Sequence, residues 1–192
     1  MKNISQHPIH ELFTQRWSPY AFDSNKPVST EDLQSLFEAA RWAMSAYNAQ
    51  PWRYIVANRN TDESLWNQIL STLVDGNQPW ATHAPVLALG LVQTEFEQTG
   101  KPNTTAIHDL GASSAFLTIE ATARGLSVHQ MSGILPDAVR STFNVPDQLK
   151  PVTGLAIGYA GANPELDENY AQRDERLRER KSMSEILVKA SL

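Results

Sequence analysis

The run from Thr104 to Arg124 reads as one long helix that an exposed surface could not hold. Ile107, Leu110, Ala112, Ala115, Phe116, Leu117, Ile119 and Ala121 are apolar, and Gly111, Ser113 and Ser114 are small, so apolar and small residues occur all round it. A helix of that kind is buried on most sides. Gly125 ends it in the position where glycine relieves a left-handed turn. In a chain of 192 residues, burial of that helix is supplied most easily at a subunit interface, where Gly111 and Ser114 would let two copies approach closely. The expectation is a homodimer.

The remaining pattern alternates helices with strands. Ile9, Leu12 and Phe13 stand at i, i+3, i+4 within Ile4 to Arg16, with Pro8 suited to a first turn, which predicts a short amphipathic helix. Ser29 followed by Asp32 resembles a capping box, and Val28 can staple onto Leu33, opening a helix whose core face is Leu33, Leu36, Phe37 and Ala40. Arg53 to Asn58 reads as a buried strand. Thr61 or Asp62 caps a helix bearing Leu65, Ile69, Leu70 and Leu73, which Asp75 to Pro79 breaks. Pro85 to Val92 is a strand apolar on both faces and so central in its sheet. Leu126 to Met131 and Pro151 to Ala160 are further strands, separated by a helix from Pro136 to Phe143. These elements predict a single α+β domain over residues 1–192, with three layers and a mixed central sheet flanked by helices.

Charge and composition remove several functions. The net charge is −5, which offers no basic field for nucleic acid. There is no cysteine, so disulfides, thiolate metal sites and cysteine nucleophiles are out, and any redox chemistry must come from a bound cofactor. Met1 to His10 lacks an apolar signal core, and Pro85 to Val92 is too short to span a bilayer, so the expectation is a cytoplasmic protein with no membrane partner. Dinucleotide fingerprints, phosphate loops, nucleophile elbows and zinc-protease helices are missing from the sequence. His7, His10 and Glu11 share a helical face but read as surface residues rather than as a metal site. His108 and Asp109 are adjacent on a helix and do not face one another, so they make no dyad. His83 and His129 read as structural.

Four short stretches carry chemistry. Met44 to Trp52 sits between a helix and a strand, and its Ser45, Asn48 and Gln50 offer donors and acceptors to a polar heterocycle. It reads equally as an ordinary connection. Arg16-Trp17-Ser18-Pro19-Tyr20 places an arginine, a hydroxyl and backbone donors at one corner, which suits a phosphate or a merely solvated arginine. Met131-Ser132-Gly133 follows a strand, and the glycine allows backbone to approach a planar ligand. Arg173, Arg176, Arg178, Arg180 and Lys181 form a locally basic run, readable as a solvated tail or as a phosphate clamp docked by Met183 to Val188.

Taken in order, these stretches resemble the FMN-dependent nitroreductase family from about residue 8 to 188. The family pattern Arg-Arg-Ser-x-Arg-x-Phe is matched by Arg16, Ser18 and Phe22, while Trp17 and Tyr20 depart from it. The pattern Ala-Pro-Ser-x-x-Asn-x-Gln-Pro-Trp is matched by Ala43, Ser45, Asn48, Gln50, Pro51 and Trp52, with Met44 in place of proline. The resemblance implies FMN at the dimer interface: Arg16, Ser18 and Arg180 on its phosphate, Ser45, Asn48 and Gln50 on the ribityl chain or ring edge, partly from the second subunit, and Met131, Ser132 and Gly133 near N5. Trp17 could pack on the cofactor, and Tyr20 replaces a basic residue expected beside the flavin. The implied reaction is ping-pong hydride transfer from NADH or NADPH through flavin N5 to a small-molecule acceptor such as a nitroaromatic or quinone, with no catalytic acid or base among the side chains. Enones, aldehydes or halogenated aromatics as acceptors remain open, as do a non-catalytic flavin-binding dimer and a cofactor-free one.

Overall fold

The computed structural model describes residues 5–162 and 165–191. The start of the N-terminal helix predicted from Ile4, and the first four residues of the stretch Met1 to His10, lie outside the described residues.

Four strands form the middle layer: β1 (Trp52–Asn58), β2 (Val86–Gln93), β3 (Ser127–Met131) and β4 (Leu149–Gly158), in the order β1-β2-β4-β3. Every pairing is antiparallel. This corrects the expected mixed sheet. Strands β1 and β2 are joined across α3 (Glu63–Ser71) and α4 (Gln78–Ala81), and β2 and β3 across α5 (Ala106–Ala123). Connections of that length permit either strand direction, so alternation of helix and strand did not decide it.

β2 is central, as expected from its two apolar faces. Leu87, Leu89 and Leu91 point into one core with Trp66, Ile69, Trp80 and Met131, while Val86 and Ala88 point into another with Leu36, Ala40, Leu117 and Ala121. The period-two alternation of a strand therefore feeds two helical layers. On the first face lie α3, α4 and α6 (Pro136–Phe143); on the second lie α2 (Thr30–Arg41) and α5. Trp80 of α4 is fully buried and anchors a short helix that the sequence pattern did not reveal.

Local signals set the helix ends. The Ser29 hydroxyl accepts from the Asp32 N–H at 2.9 Å, and Val28 packs in the same cluster as Leu33. Asp62, rather than Thr61, caps α3 by accepting from Leu65 N–H at 2.9 Å. Gly125 has φ +73. Among the described residues before Arg16, only α1 (Glu11–Gln15) is helical, and His10 Nδ1 caps it by accepting from Leu12 N–H at 3.3 Å. Pro8 therefore precedes the helix instead of opening it. The polar stretch after β4 contains α7 (Glu168–Asp174), capped by Asp167, and the chain closes with α8 (Met183–Ile186).

Within one chain α5 is buried on one side only. Ser113 donates to the Ala40 carbonyl at 3.0 Å, and the Tyr54 hydroxyl lies 3.0 Å from Ser113 and 3.1 Å from Ser114. Ser114 is 1% exposed, so it faces the chain's own core and is not available to a second copy, contrary to expectation. Gly111, Ala115, Ile107 and Phe116 are exposed on the other side.

Candidate functional site

The two ends of the chain meet beside α1. Arg178 donates to the carbonyls of Thr14 and Arg16 and lies 5.6 Å from the Trp17 ring centre. Asp174 accepts from the backbone N–H of Tyr20 at 2.9 Å and of Ala21 at 2.8 Å. These bonds hold Arg16 to Tyr20 against the C-terminal segment, and Arg16 donates to the Ser18 hydroxyl at 2.8 Å.

A cavity of about 570 Å3 results, lined by Arg16, Trp17, Ser18, Tyr20, His129, Arg173, Arg176, Arg178 and Arg180. Among the described residues, no carboxylate forms an ion pair with any of the five arginines. The Asp174 carboxylate, bonded to the Tyr20 N–H, stands at the cavity wall, and the five guanidiniums outnumber it. Burial, then the nearby Arg180, pushes the Arg16 pKa down; burial, then Arg16 and Arg180, does the same to Arg178. Guanidinium does not lose its proton under ordinary conditions, so an anion entering the cavity would relieve this repulsion. Planar forks with several N–H donors suit phosphate oxygens in particular.

Sequence reasoning placed Arg16, Trp17, Ser18, Tyr20 and Arg180 here, and the structure brings all five to one cavity. It missed Asp174 and the strap made by Arg178, whose partners are remote in sequence. His129, read from sequence as structural, is held against the Pro19 carbonyl and also lines the cavity, which the sequence did not reveal. The His129 Nδ1 lies 2.9 Å from the Pro19 carbonyl, so this nitrogen carries hydrogen, and burial pushes the ring's pKa down. Tyr20 packs edge-on against Trp80 at 5.2 Å and His129 at 4.7 Å, and the Arg173 guanidinium lies 5.6 Å over its ring. A cation from α7 therefore stands beside the position where tyrosine replaces the family's basic residue.

A second, more apolar cavity of about 390 Å3 shares Arg16 and Ser18 and is walled by Phe13, Ala115, Thr118, Ile119, Val128 and Gln130. It adjoins the exposed face of α5.

The loop from Ser45 to Gln50 is built differently. Tyr47, Asn48 and Gln50 have φ of 53, 54 and 48, a left-handed conformation that costs L-residues about 1 kcal/mol or more each and persists only when neighbours enforce it. The neighbours are visible. The Ser45 hydroxyl accepts from Gln50 N–H at 2.9 Å, Gln50 donates through its side-chain amide to the Asn48 carbonyl at 3.2 Å, and Arg53 donates to the Gln50 carbonyl at 3.0 Å. Asp109 of α5, 3% exposed, accepts from Ala46 N–H at 3.2 Å. Tyr47 is left 93% exposed, with its ring 5.8 Å from Phe96.

This loop does not meet the arginine cavity within one chain. It is tethered near the start of α5 through Asp109, whereas Ala115 and Thr118 wall the second cavity, and the helical rise from Asp109 to Thr118 is about 14 Å. Met131 is buried in the core and Ser132 is exposed. The open side of Gly133 faces its own chain: a Cβ there would lie 2.4 Å from Asn77 Nδ2 and 2.8 Å from Val74 Cγ2. The close backbone approach anticipated for a ligand is one that Asn77 makes, donating to the Gly133 carbonyl at 3.0 Å. Among the described residues no cluster of metal-ligating side chains is present, and no helix is long and apolar enough to cross a membrane.

Comparison with known proteins identifies the family and the fold. The profile of the nitroreductase family matches residues 13–159. A solved structure described as an oxidoreductase containing FMN is 34% identical, with a TM-score of 0.88 over 96% of this chain and 92% of that one. A nitroreductase family protein from Clostridium difficile is 25% identical, with a TM-score of 0.71 over 97% of this chain and 100% of that one. The major NAD(P)H-flavin oxidoreductase of Aliivibrio fischeri is 34% identical over 73 residues, covering 38% of this chain and 34% of that protein.

Proposed function

The chain belongs to the nitroreductase family, and we propose that it is an FMN-dependent NAD(P)H oxidoreductase that reduces nitroaromatic or quinone-type acceptors and works as a homodimer. The observation that carries this reading is the cavity in which Arg16, Arg178 and Arg180 converge with the Ser18 hydroxyl and no paired carboxylate. That donor set fits a phosphate monoester. Similarity to the FMN-containing oxidoreductase supports the choice of FMN over other phosphorylated ligands.

In this reading Arg16, Ser18 and Arg180 bind the phosphate, and Arg178 holds the segment that presents them. Trp17 and Tyr20 supply the flanking walls, with Tyr20 fixed by Asp174 and its aromatic neighbours. Ser45, Asn48 and Gln50 belong to the polar group that orients the ring and ribityl chain; the exposed Ser132 is free to join them, whereas Met131 and Gly133 pack against their own chain. When bound, FMN supplies hydride acceptance at N5 from NADH or NADPH and delivery to the acceptor, in ping-pong order. No side chain in the site is assigned to move a proton.

The dimer follows from the separation of the two half-sites. The loop tethered by Asp109 and the arginine cavity lie at different points along α5, and the α5 face between them, Ile107, Gly111, Ala115 and Phe116, is exposed and apolar. A second copy seated on that face would cover it and bring the loop of one subunit toward the cavity of the other.

The visible absorption spectrum of purified protein, with the chromophore released by heat and identified, tests the reading. Yellow protein releasing FMN and bleached by NADH or NADPH is expected; a colourless protein that takes up no added FMN would end the flavoenzyme proposal.

A further inference from the structure

The arginine cavity holds more positive charge than one phosphate group uses. A phosphate monoester carries at most two negative charges, whereas five guanidiniums line the cavity. Three of the five are accounted for. Arg16 is bonded to Ser18, Arg178 is committed to the carbonyls of Thr14 and Arg16, and Arg180 approaches both closely enough to lower their pKa values.

Arg173 and Arg176 form a separate pair. Arg173 closes the last turn of α7, and the Arg176 N–H donates to the Arg173 carbonyl at 3.3 Å. The Arg173 guanidinium lies 5.6 Å over the Tyr20 ring and 5.4 Å over the Tyr170 ring. Stacking of this kind occupies the planar face and leaves the N–H edge free to grip an anion bidentately. Among the described residues, no ion pair or side-chain hydrogen bond engages the guanidinium of Arg173 or Arg176.

Building on the flavin-phosphate reading above, we infer that Arg173 and Arg176 form a second phosphate subsite, so that the cavity takes two phosphate groups rather than one. The second phosphate comes either from the nicotinamide donor, as the ribose 2′-phosphate that distinguishes NADPH from NADH, or from the flavin, as the diphosphate of FAD. Both present non-bridging phosphate oxygens to the same pair of guanidiniums, three from the monoester and two from each phosphorus of the diphosphate.

The test begins with the released flavin. If it is FMN, the loaded protein is titrated calorimetrically with inorganic phosphate: one phosphate per chain is expected to bind, and Arg176→Gln, at an exposed position, weakens that binding at least tenfold. In the donor arm, Arg176→Gln lowers kcat/KM for NADPH about tenfold more than for NADH, and Arg173→Lys, which keeps the charge but loses the fork, gives an intermediate ratio. If the released flavin is FAD, its diphosphate fills both subsites, and Arg176→Gln weakens FAD at least tenfold more than FMN. FMN-loaded protein that binds no inorganic phosphate, with an NADPH to NADH ratio untouched by Arg176→Gln, would overturn the inference. Protein that never takes up flavin would sink the flavoenzyme reading separately. The subsite is then decided by whether the flavin-free chain binds two phosphates, as expected, or only one.

Discussion

Asp174 accepts hydrogen bonds from the backbone N–H groups of Tyr20 and Ala21, at 2.9 and 2.8 Å, across more than 150 positions of sequence. This contact closes the arginine cavity, because it fixes both the loop that carries Ser18 and the helix that carries Arg173. Bonds to a charged acceptor are worth about 1.5–3 kcal/mol each, and their loss strands partly buried N–H groups. Asp174→Ala is therefore expected to lower unfolding stability by about 2 kcal/mol in urea titration and to reduce retained flavin. Asp174→Asn, which keeps one acceptor oxygen, should cost less; equal effects from both variants would argue against the capping role.

His129 makes stability depend on pH. Burial holds its pKa below the ordinary 6.5, outweighing the Pro19 carbonyl and Asp174, which favour the charged form, while Arg16 opposes it. The unfolded chain then binds the proton first as pH falls. Stability is complete above about pH 6.5 and declines below it until the folded ring also titrates. His83, also lowered mainly by burial, acts in the same direction but is more exposed. His129→Gln should flatten the stability profile below about pH 6.5, as followed by urea midpoints at each pH, and a profile as steep as the parent's would exclude His129 as the source.

What could be read from sequence divides along the range of the interactions. Ser29 with Asp32, Gly125 after α5 and the two apolar faces of β2 act within a few residues, and each sits where the pattern put it. Arg16, Ser18 and Arg180, proposed above for the flavin phosphate, were legible as motifs, and the structure gathers them in one cavity. Strand direction was not, since the long links through α3 and α5 leave it open. Nor were the contacts of Asp174 with Tyr20 and of His129 with Pro19, which join partners far apart in the chain. The inward turn of Ser114 was hidden for another reason: a small polar residue suits a tight helix contact and an internal hydrogen bond equally well, and the Tyr54 hydroxyl decides it in favour of the latter.

Gly133 offers a packing test. A Cβ there would meet Asn77 Nδ2 at 2.4 Å and Val74 Cγ2 at 2.8 Å, and the amide also bonds to the Gly133 carbonyl, so neither neighbour can yield freely. Gly133→Ala is expected to cost about 1–3 kcal/mol by overpacking, read as a lower urea midpoint. A neutral substitution would show that the turn from Asp75 to Gln78 shifts easily.

Arg16 contributes a charged fork already oriented by Ser18. Arg16→Ala removes one or two charge-assisted bonds to the phosphate, each worth about 1.5–3 kcal/mol. FMN affinity should fall by roughly 10- to 100-fold, measured by fluorescence on reconstitution, and the parent's affinity should weaken as salt is raised, because the cavity's charge is screened. An affinity that ignores both the substitution and salt would remove the phosphate from this cavity.

Gly111 separates the dimer from the fold. It lies on the exposed face of α5, and a Cβ built there meets nothing within 4 Å. A side chain at this position is therefore tolerated by the single chain, and loss of a helical glycine favours the helix by up to about 1 kcal/mol. A second copy packed on the same face has no room for a long charged residue. Gly111→Arg should thus keep the helical circular dichroism of the parent but sediment as a monomer and lose FMN, since the Ser45–Gln50 loop of a partner would no longer reach the arginine cavity. If the variant remains dimeric and yellow, α5 is not the interface. If it becomes monomeric yet retains FMN, the flavin is bound within one chain, and the loop serves another purpose.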